Sequence, residues 1–310
     1  MRFIDIREAL SVLNFPDLVD HLERSHKEPP AQRDDLLMHD TTAAANSDAF
    51  LLRAAWQPGV ALGAKLVTVL PRNQPSINAL YVIFDGVSGK PRACMDGDAL
   101  TWYKTAADSA LGARFLARED VKQLSMIGAG TMAPYLVRAH LAERPSLQRV
   151  CIWNRTAAKA QRLTERLQAE GIAAEAATTL REAVESADVL CSATMTRAPI
   201  IDGNWLQPGT HVDLVGSFTR DMREADNTAI QRSRIYVDCH ATAVDDVGEI
   251  AIPVRDGALK REDIAGDLYE LCSGKRRGRT SSEDITLFKN AGGGHLDLMT
   301  AQFISERITA

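Results

Sequence analysis

From about residue 121 onward, short apolar runs alternate with stretches whose apolar residues recur at helical spacing. The runs have the length of buried strands, and Ala157–Ala169 and residues 180–186 have the pattern of helices between them. Strands that alternate with helices predict a parallel sheet with right-handed crossovers. The predicted strands are QLSMIG (123–128), RVCIWN (149–154), ADVLCSAT (187–194), HVDLVG (211–216) and RIYVD (234–238).

The first 118 residues follow a different pattern. LGAKLVTVL (62–70), ALYVIFD (79–85) and KPRACMDG (90–97) are consecutive strand-like runs, separated by residues that favour turns. They predict an antiparallel sheet, followed by a helix over residues 105–117. The last segment, from residue 284, begins as a strand and continues as an amphipathic helix, which we expect to return to this N-terminal part.

A glycine-rich turn stands between the predicted strand 123–128 and a helical pattern. Its sequence is GxGxxA, a permitted form of the dinucleotide fingerprint. The first glycine makes the tight turn, the second lets the backbone approach a pyrophosphate, and the final alanine lets helix and strand pack closely. A purely structural glycine turn is the alternative. The turn consists of Gly128, Ala129, Gly130, Thr131, Met132 and Ala133.

The end of the second strand of this region indicates which dinucleotide is preferred. NAD enzymes carry an acidic residue there for the ribose 2′-hydroxyl, whereas this chain has Asn154, Arg155 and Thr156. A guanidinium can hold a 2′-phosphate through two hydrogen bonds, so NADP(H) is favoured and NAD(H) stays possible. Thr194 and Met195, after the strand 187–194, are expected to line the cofactor crevice.

Composition and charge narrow the class of protein. With 45% hydrophobic and 25% charged residues, a chain of 310 residues can bury a core without metal or disulfide support. The formal net charge of -5 gives no reason to expect a nucleic-acid partner. No apolar run is long enough to span a membrane, and MRFIDIREAL lacks the pattern of a signal peptide. We therefore expect a cytoplasmic protein without a membrane partner.

Cysteine and histidine spacing predicts neither disulfides nor a metal centre. The five cysteines contain no CxxC pair and are expected to be free thiols. The seven histidines show no HxxxH spacing and no His/Cys cluster, so no metal is expected.

Seven stretches form an ordered set: GAKLVT (63–68), MDG (95–97), KTAADSALGARFLA (104–117), IGAGTMA (127–133), WNRT (153–156), VGSFTRDMREAD (215–226) and ITLFKNAG (285–292). This set resembles the ornithine cyclodeaminase/mu-crystallin family over essentially the whole chain. The resemblance implies an α/β fold in which a Rossmann domain, residues 119–289, is inserted into an α+β substrate-binding and dimerisation domain, residues 1–118 plus 290–310. It also implies a homodimer and a small amino or imino acid substrate.

The resemblance further implies the roles of several residues. Family enzymes hold the substrate carboxylate with basic residues and place a lysine, matched here by Lys65, beside the reacting carbon. Arg33 is the best match to an N-terminal arginine of the family. Lys104, which precedes Thr105 in the same expected substrate site, stands where most members have arginine. Because lysine offers a point charge and arginine a planar fork, this exchange could alter which substrates fit.

The segment after the strand 211–216 bears on the type of reaction. Ornithine cyclodeaminases carry an aspartate there that takes part in deamination and ring closure, and by our alignment Phe218 occupies its position. Phenylalanine can neither take nor give a proton, so this position disfavours ring-closing deamination relative to imino-acid reduction. Val215 and Ser217 are expected to contact the cofactor. Gly292, which opens a run of three glycines, suits either close approach to the nicotinamide or a hinge.

We therefore predict an NADPH-dependent reductase of a cyclic imino acid of the pyrroline-2-carboxylate or piperideine-2-carboxylate type. Arg33 and Lys104 would hold the carboxylate, and Lys65 would hydrogen-bond or protonate near the reacting centre. Asp297 matches an acidic residue of many relatives, and a carboxylate near a helix N-terminus is its plain explanation. Ornithine cyclodeaminase, an alanine-type dehydrogenase and an NADPH-binding protein without turnover stay open as alternatives.

Overall fold

The computed structural model of the protein describes residues 2–40 and 48–309. The strands are β1 Arg2–Ile4, β2 Gln32–His39, β3 Ala49–Gln57, β4 Ala61–Val69, β5 Ile77–Asp85, β6 Pro91–Asp96, β7 Gln123–Ile127, β8 Arg149–Trp153, β9 Ala174–Ala176, β10 Val189–Ser192, β11 His211–Leu214, β12 Ser233–Val237, β13 Ile264–Asp267 and β14 Ile285–Lys289. The helices are α1 Ile6–Val12, α2 Phe15–His26, α3 Gly97–Leu116, α4 Ala133–Glu143, α5 Ala157–Ala169, α6 Leu180–Glu185, α7 Asn227–Arg232, α8 His240–Ala243, α9 Gly248–Arg255, α10 Leu268–Cys272 and α11 Gly294–Thr309.

The chain divides into two compact units. Unit 1 contains the described residues of 1–105 and 293–310, and unit 2 contains residues 106–292. The division falls within α3, after residue 105, and just before α11, whereas the sequence placed the two boundaries after residues 118 and 289. The expected roles, substrate binding and dimerisation for one domain and cofactor binding for the other, stay predictions.

Unit 1 is built on a six-stranded sheet in the order β1-β6-β5-β4-β3-β2. The strands β2 to β6 pair antiparallel, which the sequence predicted for β4, β5 and β6 but not for β2 and β3, while β1 joins β6 in parallel. Lys65 on β4 lies directly opposite Arg53 on β3 and Tyr81 on β5. Paired residues of neighbouring strands point to the same face, so these three side chains share one face of the sheet.

Two helices of the chain differ from the sequence prediction. The helix expected over 105–117 begins at Gly97 instead, because Asp96 Oδ1 accepts hydrogen bonds from the backbone N–H groups of Asp98 and Ala99. The last helix, α11, was expected to be amphipathic, but every residue from its start to Ser305 is buried. It packs against α2 and against β3 and β4, so its polar residues lie inside unit 1.

Unit 2 is a Rossmann fold, which confirms the predicted fold class. Its eight strands all run parallel in the order β13-β12-β14-β11-β10-β7-β8-β9. The strand β7 pairs with β8 on one side and β10 on the other, so the strand order reverses at this point. In open α/β sheets, ligands bind beyond the carboxyl ends of the strands at such a switch point.

The buried polar groups of unit 2 correct one prediction from the sequence. The sequence predicted no His/Cys cluster, yet His140 on α4 and Cys191 on β10 both contact Asp213 on β11. The Asp213 carboxylate accepts hydrogen bonds from His140 Nε2 at 3.0 Å, Cys191 Sγ at 3.1 Å and Ser109 Oγ at 3.0 Å. Cys191 and Asp213 are paired residues of the neighbouring parallel strands β10 and β11, and the helices α4 and α3 add His140 and Ser109.

All five cysteines are buried and free, as expected. No helix in the described part of the chain is long and apolar enough to cross a membrane.

Candidate active site

Three buried charges from three elements meet in unit 1. Lys65 Nζ on β4 lies 3.1 Å from Asp297 Oδ1 on α11, and Lys104 Nζ on α3 lies 2.9 Å from the same oxygen. The side chains of Lys65, Lys104 and Asp297 are 8%, 4% and 0% exposed. Lys65 Nζ also reaches Thr101 Oγ1 at 3.4 Å, and Lys104 Nζ donates to the Gly293 carbonyl oxygen at 3.4 Å. We call Lys65, Lys104 and Asp297 the lysine–aspartate cluster.

The protonation of this cluster is set by burial and by its own charges. Burial lowers the pKa of Lys104 to about 8, although the charge of Asp297 opposes that shift. Burial raises the pKa of Asp297, but Lys104, Lys65 and Arg53 outweigh it and hold that pKa at about 2. Asp297 is therefore an anion near neutral pH. The formal charges of the cluster, two lysines and one aspartate, sum to +1, which suits a ligand with one carboxylate.

The other two residues assigned to the substrate lie on the same unit. Arg33 is half-buried on β2, on the face of the sheet that also carries Lys65. Burial lowers the pKa of His295 well below its usual value, and the charges of Lys104 and Arg33 act in the same direction. The charge of Arg33 therefore acts on His295, which also feels the charge of Lys104. Thr105 is half-buried on α3, next to Lys104.

The glycine turn of unit 2 combines a tight bend with open space beside its backbone. Gly128 has φ +103, and a Cβ there would lie 2.8 Å from the Ala193 carbonyl oxygen, so only glycine fits. Gly130 has no atom within 4 Å of the position of a Cβ, which leaves open space beside its backbone. The helix α4 then begins at Ala133, and its first turn offers N–H groups and the positive end of the helix dipole.

Asn154 connects the turn to the end of β8. Its Oδ1 accepts a hydrogen bond from Ala129 N at 3.2 Å, and its Nδ2 donates to the Thr156 carbonyl oxygen at 3.0 Å. Arg155 is exposed beside this connection. A cleft of about 390 Å³ at this edge is lined by residues of the three predicted segments, namely Gly128, Ala129, Gly130, Asn154, Arg155, Thr194 and Met195, with Lys159 from α5.

Glu224 fixes the carboxyl ends of β10 and β11 and was not anticipated. Its fully buried carboxylate accepts hydrogen bonds from Thr194 N at 2.8 Å, Thr194 Oγ1 at 2.7 Å and Gly216 N at 2.6 Å. Burial raises the pKa of Glu224 to about 7, and the charge of Glu249 adds to that shift. Ser217, one of the expected cofactor residues, donates to Glu249 Oε2 at 3.1 Å. Ser217 is fully buried, so its hydroxyl serves this network.

Another buried acid, Asp238, holds the glycine run after β14. Asp238 Oδ2 accepts hydrogen bonds from Ala291 N at 2.9 Å and from Gly292 N at 2.6 Å. Gly292 has φ +73, a backbone conformation that glycine adopts without strain. These bonds fix the backbone of Gly292. Of the two interpretations drawn from the sequence, they favour an ordered backbone over a flexible hinge.

The remaining predicted residues stand at the surface of this edge. Met195 is 77% exposed and Phe218 is 59% exposed, while Val215 is half-buried and donates its N–H to the Ser192 carbonyl oxygen. The motif 215–226 signalled that this segment matters. The sequence of this motif did not predict that the Glu224 side chain would be buried and accept hydrogen bonds from the backbone after two strands.

These features define an α/β protein with a dinucleotide-type Rossmann unit and a buried cluster of two lysines and one aspartate, and comparison with known proteins gives the family. A model of the ornithine cyclodeaminase/mu-crystallin family matches residues 48–310. The chain belongs to this family.

Individual relatives match over nearly their whole length. A Delta(1)-pyrroline-2-carboxylate reductase of Paracoccus denitrificans is 42% identical over 98% of this chain and 96% of that protein. Protein SAR DEFICIENT 4 of Arabidopsis thaliana is 40% identical over 98% and 96%. A solved structure of Thermococcus litoralis Delta(1)-pyrroline-2-carboxylate reductase in complex with NADH and L-proline superposes with a TM-score of 0.90, at 27% identity, over 99% of this chain and 97% of that one.

The substitution Gly130→Ala tests the dinucleotide turn. Because no atom lies near the added methyl group, the free energy of unfolding should change by less than about 1 kcal/mol. The methyl group would instead obstruct the backbone where a pyrophosphate approaches, and we expect dinucleotide affinity to fall at least about tenfold. Urea denaturation and fluorescence titration with NADPH measure the two effects.

Gly128→Ala is the matched comparison for this test. Its positive φ and its contact with Ala193 predict a loss of both stability and affinity. If Gly130→Ala binds NADPH as the wild type does, the turn does not hold the pyrophosphate.

Proposed function

We propose that the protein is an NADP-dependent reductase of a small cyclic imino acid of the pyrroline-2-carboxylate or piperideine-2-carboxylate type. The lysine–aspartate cluster carries the proposal, because it offers one net positive charge to a substrate with one carboxylate and holds a lysine for proton transfer. Identity of 42% with a Delta(1)-pyrroline-2-carboxylate reductase, over 98% of the chain, supports the substrate class. We also propose that the protein is cytoplasmic, as the sequence predicted.

The residues of the cluster divide the chemical work. Reduction of a C=N bond adds a hydride to carbon and a proton to nitrogen. NADPH, when bound, supplies the hydride. Lys104, with Arg33, would hold the substrate carboxylate as an ion pair. Lys65, the most exposed of the three cluster residues, would donate a hydrogen bond and then a proton to the ring nitrogen.

The residues of unit 2 fit a dinucleotide. The space beside Gly130 and the start of α4 suit a pyrophosphate. The exposed guanidinium of Arg155 and the ammonium of Lys159, which line one cleft, suit a 2′-phosphate better than a neutral ribose hydroxyl. The described part of the cleft lining contains no carboxylate that would repel this phosphate. These charges favour NADP(H), with NAD(H) as a weaker ligand.

Turnover tests the proposed reaction. We expect the wild type to oxidise NADPH with pyrroline-2-carboxylate or piperideine-2-carboxylate, and Lys65→Ala to lower kcat by about 100-fold or more, since it removes a general acid. Lys90→Ala, which removes an exposed lysine of the β5–β6 turn, should keep wild-type activity. Steady-state absorbance assays measure both. A wild type that reduces neither imino acid contradicts the proposal.

The substitution Arg155→Gln tests the cofactor preference. Removing the guanidinium should weaken NADPH binding by about 10- to 100-fold, the range expected for charge-assisted hydrogen bonds, and leave NADH binding nearly unchanged. Arg181→Gln is the control, because Arg181 is an exposed partner of Glu185 on α6. Equal losses for the two cofactors, or tighter binding of NADH than of NADPH by the wild type, would show that the preference is wrong.

We also propose that the protein is a homodimer. The edge strand β2 and its neighbour β3 carry Leu36, Met38 and Trp56, which are 54%, 43% and 48% exposed. By the strand register they share the face of the sheet opposite Lys65. Exposed apolar side chains at an unpaired sheet edge suit a second copy of the chain.

A double substitution, Leu36→Glu with Trp56→Glu, tests this surface. It should convert a dimer into a monomer in sedimentation velocity at micromolar concentration, because it places charges in the apolar contact. Val87→Glu, at an 83% exposed turn position, should leave the dimer intact. A wild type that sediments as a monomer, or a double variant that stays dimeric, contradicts the proposed interface.

A further inference from the structure

Lys104 is buried in a position that disfavours its protonated, charged form. It is 3% exposed, and its Nζ has a single carboxylate within ion-pair distance among the described residues, that of Asp297. An arginine at this place would stay charged at any ordinary pH, whereas a buried lysine loses its proton readily. The chain therefore depends on Asp297 in a way that an arginine-bearing protein would not.

The groups that face Lys104 come from several elements. On α11 there are Asp297 and His295, and burial keeps His295 neutral by lowering its pKa far below the usual value. On β4 stands Lys65, and on β3 stands Arg53, which is paired with Asp35 at 2.7 Å. Lys65 and Arg53 both disfavour the charged form of Lys104, and Asp297 favours it.

The two lysines are the main polar partners of the Asp297 side chain among the described residues. Oδ1 receives both ammonium groups, and no described residue hydrogen-bonds Oδ2. A carboxylate that capped the N-terminus of α11 would accept backbone N–H groups, which is how Asp5 and Asp267 cap α1 and α10. Asp297 makes ion pairs with the two lysines instead.

We propose that Asp297 is a positioning residue that keeps Lys104 protonated, and that the affinity of this protein for a substrate carboxylate consequently depends on pH. The choice of ligand for its test rests on the proposed function. Only the ammonium form of Lys104 attracts a carboxylate, so binding is strong while Lys104 keeps its proton and weakens when the proton is lost.

The pH range of this change follows from the direction of the shift. Burial lowers the pKa of Lys104 from 10.5 to about 8, and Asp297 acts against that lowering. In the wild type the attraction is present below about pH 8 and is lost above it. Removal of the Asp297 charge lowers the pKa further, so the loss of affinity moves to lower pH. Arginine in place of Lys104 would not titrate in this range.

The experiment is calorimetric titration of the NADP-saturated protein with pyrrole-2-carboxylate, a planar five-membered ring acid, between about pH 6 and pH 9.5. Neither its carboxylate nor its ring nitrogen titrates in that range. We expect the wild type to bind up to about tenfold more weakly at pH 9 than at pH 7, because a lysine with a pKa of about 8 is protonated in only about one tenth of the molecules at pH 9. Asp297→Asn should lose affinity at lower pH than the wild type.

Two further variants separate this role from a structural one. Lys104→Arg should bind with an affinity that is constant within about twofold from pH 7 to pH 9, and Asp297→Asn combined with Lys104→Arg should regain that flat profile. If Asp297→Asn does not fold, the profile of Lys104→Arg alone shows whether titration of Lys104 causes the pH dependence of binding. Asp85→Asn, which makes the same charge change in the turn held by Ser88 and Arg92, should keep the wild-type profile.

The outcomes that overturn the inference are distinct from those that overturn the proposed function. A wild-type affinity that does not fall above pH 8, a sloping profile for Lys104→Arg, or a wild-type profile for Asp297→Asn overturns the role of Asp297. A wild type that binds pyrrole-2-carboxylate with the expected profile but reduces no imino acid overturns the reductase and leaves the inference standing.

Discussion

One carboxylate oxygen, Asp297 Oδ1, receives two buried ammonium groups, and the candidate substrate site of unit 1 is arranged around that contact. Breaking a buried ion pair by removing one partner costs about 3–5 kcal/mol, because the other charge stays without compensation. The strand β4, the helix α3 and the helix α11 must each deliver one member of the cluster. The C-terminal helix therefore completes a site whose other parts come from the N-terminal third of the chain.

Unit 2 uses buried acids for a different purpose. Glu224 and Asp238 accept backbone N–H groups at the ends of strands and so fix the loops that follow. Backbone that is held from inside the protein leaves its outer surface free for a ligand. Met195 directly follows Thr194, whose backbone Glu224 holds, and its own side chain stays exposed. The exposed Arg155 follows Asn154, whose side-chain amide holds the loop after β8.

Periodicity and motifs predicted most strands of the Rossmann unit and three strands of the antiparallel sheet, β4 to β6, because each of these is an apolar run between turn residues. They did not predict β2, whose residues are almost all exposed, its neighbour β3, or the early start of α3, which depends on the side chain of Asp96. Lys65 and Lys104 could be chosen from the family resemblance. Their joint contact with Asp297 could not, since it depends on three segments far apart in the chain.

The central claim is that the lysine–aspartate cluster binds the acid group of the substrate. A crystal structure of the protein with NADP⁺ and L-proline tests it most directly. We predict a carboxylate oxygen of proline within hydrogen-bonding distance of Lys104 Nζ, about 2.7–3.2 Å, with the ring nitrogen toward Lys65 Nζ. Proline bound elsewhere, or with its carboxylate turned away from both lysines, would contradict the account.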